Sequence, residues 1–232
     1  IKVAGEGLPR EVPGTRVTIT DRFVPVGTFR LKVTHGSNYK AGDRVMVYRP
    51  ATIEWIQAIR MDRIVERKGT RQWSPEQYNL AFERQVVKVE GNTLWLDNPI
   101  VMQMEDKFGG GQVYKYSFDG RIAEVGVADL RIESVYKNYE DAEHAWTGVL
   151  VDKAENCWVK NVTTQYVANS AVWCERYAKN VTVLNCRSLE PKSVITGGYR
   201  YSFYNNGQQN LFANCVATEG RHDFVTGARV LG

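Results

Sequence analysis

Four segments in the second half of the chain carry the same alternation of apolar and polar positions. Leu130–Val135, Cys157–Val162, Val181–Cys186 and Asn210–Cys215 read LRIESV, CWVKNV, VTVLNC and NLFANC. Each runs apolar, any residue, apolar, any residue, Ser or Asn, then Val or Cys; Asn210 is the exception at the first place. A period of two predicts a short strand with one buried face. The last positions, Val135, Val162, Cys186 and Cys215, are 27, 24 and 29 residues apart. A strand-bearing unit of that length cannot enclose a core alone. The repeat therefore predicts a solenoid, whose stacked coils pile equivalent side chains into columns. Val135, Val162, Cys186 and Cys215 are expected to form one interior column. Ser134, Asn161, Asn185 and Asn214 are expected beside it, at a corner where Asn tolerates left-handed backbone and side chains can bond from coil to coil. A β-sandwich of short strands is the alternative, under which these columns would be accidental.

The rest of the chain lacks this repeat. Residues 1–32 are β-like, with VTIT at 17–20 and TFRLKV at 28–33, and read as initial strands of the solenoid. Residues 33–117 read as an inserted β-rich subdomain. It contains a turn at Gly42-Asp43, a short helix over 52–64 with Thr52 as N-cap, and a hairpin over 85–101 around Glu90-Gly91-Asn92. Uninterrupted coils are expected over 118–232. The fold class is thus all-β, a parallel β-helix with an insertion. The chain stops at Val230-Leu231-Gly232 directly after a strand-like stretch, which reads as a solenoid truncated at its C-terminal end, open to further coils or another chain.

The Asn-Val and Asn-Cys corners and their spacing, together with Glu83–Pro99 (ERQVVKVEGNTLWLDNP), resemble right-handed parallel β-helix proteins of the pectate-lyase-like superfamily. The resemblance covers 118–232 and, in part, the first thirty residues. It implies an extracellular polysaccharide-active protein: secreted, periplasmic or on a cell surface. It does not select an activity, because this architecture hosts lyases, hydrolases, esterases, tailspikes and adhesins.

Charge adds little. The chain has 232 residues, 30 Lys and Arg against 26 Asp and Glu, an excess of four dispersed along the chain. No clustered basic face argues for a nucleic-acid partner, and no apolar run is long enough to span a membrane. The four cysteines, at 157, 174, 186 and 215, include no CxxC pair, so a structural zinc site is not expected. Cys186 and Cys215 share a column, as buried thiols or as a disulfide. The sequons at Asn161 and Asn180 are read as incidental, Asn161 because the ladder is expected to enclose it.

The candidate chemistry lies just before a strand in each unit. HAWTGV (144–149), VANSAV (167–172), GYRYSF (198–203) and GRHDFV (220–225) align Trp146, Asn169, Arg200 and His222 in one column, and Thr147, Ser170, Tyr201 and Asp223 in the next. Arg200 and His222 are then expected on adjacent coils of one solvent-facing groove, with Tyr199, Tyr201, Arg221 and Asp223 around them. A base beside a carboxylate clamp suits β-elimination on a uronic-acid glycan: His222, or a deprotonated Tyr199 or Tyr201, removes the proton α to the carboxylate, and Arg200 or Arg221 neutralises the enolate-like intermediate. Trp146, Trp173 and Tyr204 could carry sugar rings, and Asn169 could contact substrate. The plainer reading makes Arg221-His222-Asp223 a hydrogen-bonded turn, with Asp223 orienting His222. His144 is a second candidate base. No cofactor is required; Glu140, Asp141 and Glu143 are able to bind calcium or to form a solvated loop. Glycoside hydrolysis is weaker, since no two carboxylates share a column. A non-catalytic glycan-binding or structural β-helix is the competing class.

Overall fold

A computed structural model of the chain describes residues 1–227. The described residues divide into two compact units, 1–8 with 118–227, and Pro9–Ser117. The expected open end at Val230-Leu231-Gly232 lies outside the described residues.

The first unit is a parallel β-helix whose chain visits three parallel sheets in turn. The first sheet orders Lys2–Ala4, Thr147–Asp152, Ser170–Cys174, Tyr201–Asn205 and His222–Thr226. The second pairs Gly126–Glu133 with Trp158–Gln165. It continues through Thr182–Leu184 and Arg187–Leu189 to Leu211–Ala213 and Val216–Ala217. The third is narrow: Ile122–Ala123 pairs with Ala154–Glu155, and bridges carry it on to Lys179 and Gln208.

Sharp corners between strands make the coil possible. Asp129, Asn161, Asn185 and Asn214 all have left-handed backbone, with φ between 53° and 57°. Side chains offset the strain of that conformation by bonding between coils. The amide of Asn161 donates to Asp129 Oδ1 at 2.7 Å, and that of Asn185 to Asn161 Oδ1 at 3.3 Å. A second left-handed column, Glu124, Asn156, Asn180 and Gln209, turns the chain from the third sheet into the second, with Asn180 donating to Asn156 at 2.7 Å.

The repeat stands, but its first member is re-registered. Strand pairing places Leu130 opposite Val162 and so Asp129 opposite Asn161. The column is therefore Leu130, Val162, Cys186 and Cys215, not one beginning at Val135, which is 91% exposed. Ser134 likewise begins the loop after the strand instead of standing in the Asn column. The error has a physical origin. Alternation continues on both sides of a one-residue corner, so a period-two pattern alone does not locate the corner, and here Asp replaces Asn. The ladder also runs along the outside: Asn161 is exposed, not enclosed. The lumen is filled by Val149, Val151, Val159, Val162, Val172, Val183 and Phe203 with Cys157, Cys174 and Cys186. All four cysteines are free thiols, and burial raises the pKa of each.

The second unit is antiparallel. Its sheet runs from Arg10–Glu11 through Gln112–Ser117, Arg44–Arg49, Leu80–Glu90 and Thr93–Leu96 to Arg30–Lys32. Leu31, Val45, Val47, Phe82, Val86, Leu94, Ile100 and Val113 form a fully buried core. Two boundaries differ from expectation. Only Ile1–Leu8 of the first 32 residues belongs to the β-helix unit, with Lys2–Ala4 as its strand; Val17–Thr18 pairs with Gln112–Val113 and Arg30–Lys32 with Thr93–Trp95. These alternating segments find antiparallel partners, which a local pattern cannot reveal. The helix is shorter, Ile53–Ala58; Thr52 Oγ1 accepts from the Trp55 N–H, and left-handed Arg60 ends the run soon after.

The corner is testable. Asn161→Ala is expected to destabilise the protein by about 2 kcal/mol, combining left-handed strain with a lost hydrogen bond. Asn161→Gly should recover the backbone share. Equal urea midpoints for the Ala and Gly variants would show that the corner does not depend on backbone freedom.

Candidate functional site

Strand register fixes which side chains meet on the first sheet. Tyr201 pairs with His222, Trp173 with Tyr204, and Leu150 with Trp173. His222 therefore stands beside Tyr201, one position away from the expected alignment with Arg200. Arg221 takes the place opposite Arg200, and its N–H donates to the Arg200 carbonyl at 3.0 Å.

The result is an aromatic strip across three neighbouring strands. The Trp173 and Tyr204 rings lie 4.8 Å apart, Tyr204 and Tyr201 5.4 Å, and Tyr201 and His222 5.4 Å. Arg221 Nη1 donates to the Tyr201 hydroxyl at 3.3 Å, and so does the Gly198 N–H at the same distance. His222 and Arg221 are exposed, while the three aromatic rings are half-buried. Asp223 accepts from Ser202 Oγ at 3.2 Å, so that hydroxyl, and not His222, is its hydrogen-bond partner. Trp146 and Tyr199 form a separate edge-on pair, rings 5.2 Å apart, in the loops that lead into the strands.

Two expected site residues do not face solvent. Arg200 is 0% exposed. Its Nε donates to the Ser193 carbonyl at 2.9 Å, joined there by Nη2, and its Nη1 and Nη2 reach the hydroxyl and carbonyl of Tyr139 at 3.0 and 3.2 Å. The Tyr139 ring covers the guanidinium at 4.5 Å. This arginine ties loops together instead of lining a groove, because its own left-handed backbone (φ 55°) turns the side chain into the loop layer. Asn169 is also buried; its Oδ1 accepts from the Tyr201 N–H at 2.9 Å and so shapes the entry to that strand.

His144 belongs to the same loop layer. Its Nδ1 meets Ser134 Oγ at 2.7 Å and its Nε2 the carbonyls of Lys192 and Asp141 at 2.8 and 3.1 Å. The carbonyls require a proton on Nε2, which leaves Nδ1 to accept from the serine. Lys192, overlooked in the sequence, is buried, with its ammonium 5.1–5.8 Å from the rings of Tyr136, Tyr139 and Tyr166. No local signal marks it, since its three rings come from distant segments. Asp141 spends both oxygens on the backbone N–H groups of Lys137 and Glu143, which hold its carboxyl below the usual range. Among the described residues, no three His, Cys, Asp or Glu side chains gather as metal ligands.

No family model matches the sequence, and no curated protein matches it. Three phage tailspikes are among the solved structures to which the chain is similar. The tailspike protein gp49 from Pseudomonas phage LKA1 aligns with TM-score 0.46 and 16% identity over 94% of this chain and 41% of that one. Gp61 from Pseudomonas phage phi297 aligns with TM-score 0.42 and 14% identity, over 95% and 32%. The Gp54 tailspike of Acinetobacter baumannii bacteriophage AP22, in complex with A. baumannii capsular saccharide, aligns with TM-score 0.40 and 12% identity, over 92% and 39%. The chain spans less than half the length of each. Its assignment as a parallel β-helix rests on the strand pairings above.

The contrast between Arg200 and His222 is measurable. Arg200→Lys is expected to lower unfolding free energy by about 2–4 kcal/mol, since a buried fork of donors is replaced by one ammonium. His222→Ala should change it by less than about 0.5 kcal/mol, as an exposed site does. Chemical denaturation of both variants checks the pair.

Proposed function

We propose that this chain binds an acidic polysaccharide along the outer face of the first sheet and cleaves it by β-elimination. One observation carries the reading: Tyr201 lies between an exposed imidazole, His222, and an exposed guanidinium, Arg221, at the end of the Trp173–Tyr204 strip. Sugar rings present apolar C–H faces, which aromatic surfaces bind by apolar contact while hydroxyls stay hydrated. A uronate carboxylate would pair with Arg221, one of the two arginines expected in that role. His222, or Tyr201 as its phenolate, would then take the proton α to that carboxylate. The electron pair moves into the carbon–carbon double bond as the glycosidic oxygen leaves and takes up a proton from solvent.

A second reading, binding without cleavage, is favoured by the withdrawal of Arg200, which leaves Arg221 as the cation of the site among the described residues. A panel of uronate-containing polysaccharides separates the two. Elimination is expected to raise ultraviolet absorbance from the unsaturated product, and His222→Ala to cut that rate by ~10²–10⁴-fold. Trp173→Ala and Tyr204→Ala should each weaken binding about 5–10-fold. Binding without new absorbance or reducing ends selects the non-catalytic reading. Binding unaffected by either aromatic substitution removes the site.

A further inference from the structure

The second unit holds a cavity that the glycan reading leaves unused. It has a volume of about 370 Å³ and is walled by Trp55, Ile59, Met102, Phe108 and Val26, with Arg49 among its lining residues. That volume is in the range of small-molecule sites, which pair apolar walls with a few polar groups. Val26 and Ile59 are 60% and 42% exposed and form its mouth.

Arg49 is what distinguishes this cavity from a packing gap. It is only 3% exposed, yet its donors are largely unspent. Nε donates to the Gln103 carbonyl at 3.0 Å, Nη1 reaches the Pro50 carbonyl only at 3.5 Å, and Nη2 donates to nothing among the described residues. The Trp55 ring lies 4.4 Å from the guanidinium and covers one face. Glu105 also lines the cavity, but its oxygens are committed to Gln103 Nε2 at 3.0 Å and Lys107 Nζ at 2.8 Å. Burial pushes the Arg49 pKa down and the nearby Glu105 charge partly restores it. Open guanidinium donors beside apolar walls make a ready partner for an anionic acceptor.

We infer that this cavity binds a small monocarboxylate with an apolar or aromatic body, its carboxylate on the open donors of Arg49 and its body against Trp55, Ile59 and Phe108. Planar carboxylate matches the guanidinium fork. Glu105 at the wall disfavours a dianion such as phosphate, and the apolar walls disfavour a free sugar.

The matched pair 4-phenylbutyrate and 4-phenylbutyramide tests this on the intact chain by isothermal titration calorimetry. The carboxylate is expected to bind at least about ten-fold more tightly than the amide, as one charge-assisted pair provides. Arg49→Met should erase that preference. Val26→Glu, at the exposed mouth, should weaken the carboxylate about ten-fold and the amide less, and it decides the matter if the Met variant does not fold. Equal affinity for the two probes, no binding of either, or a preference that survives in a folded Arg49→Met protein would overturn the inference.

Discussion

A coil of this β-helix can close only where the chain turns through one residue without losing its ladder. Left-handed backbone at Asp129, Asn161, Asn185 and Asn214 supplies that turn. Such backbone is unfavourable for most L-residues, and short polar side chains that find a local acceptor tolerate it best. For Asn161 and Asn185 the acceptor is the equivalent side chain of the preceding coil. The corner thus needs the stack, and the stack needs the corner. With the angle set, residues on either side are carried into the lumen, and the buried Val, Cys and Phe columns follow.

The loops between the second and first sheets solve a different problem. They vary in length and sequence, so no ladder can run through them. Polar side chains bind them instead: Arg200 to backbone and hydroxyl oxygens, Lys192 against three tyrosine rings, and His144 bridging two carbonyls and a serine. Arg200 and Lys192 are buried in the service of loop geometry. The aromatic strip, by contrast, stands largely on paired strands, whose positions are fixed by hydrogen bonds on both sides. A binding surface on such elements is held more rigidly than one on loops.

The repeat was legible because its cause is local. A corner that wants Asn, followed by a buried Val or Cys, leaves the same short signature in every coil, and three of the four units read correctly at Asn161, Asn185 and Asn214. The fourth did not, because Asp129 serves the corner as well as Asn does, and alternation gives no phase across it. The aromatic and basic residues of the candidate site were also visible as residue types before a strand. Which of them meet was not: a shift of one position moved His222 from Arg200 to Tyr201.

What the sequence determined by itself was therefore the solenoid, its corner chemistry, the capped helix at Thr52 and the hairpin at Gly91-Asn92, all of which depend on neighbours within a few residues. Tertiary structure alone decided strand register, the antiparallel partners of Val17–Thr18 and Arg30–Lys32, and the fate of each charge. Arg200 and Arg221 are the same residue type. One is enclosed by Tyr139 and Ser193 and the other faces solvent, because burial is set by segments that fold over a residue from elsewhere in the chain.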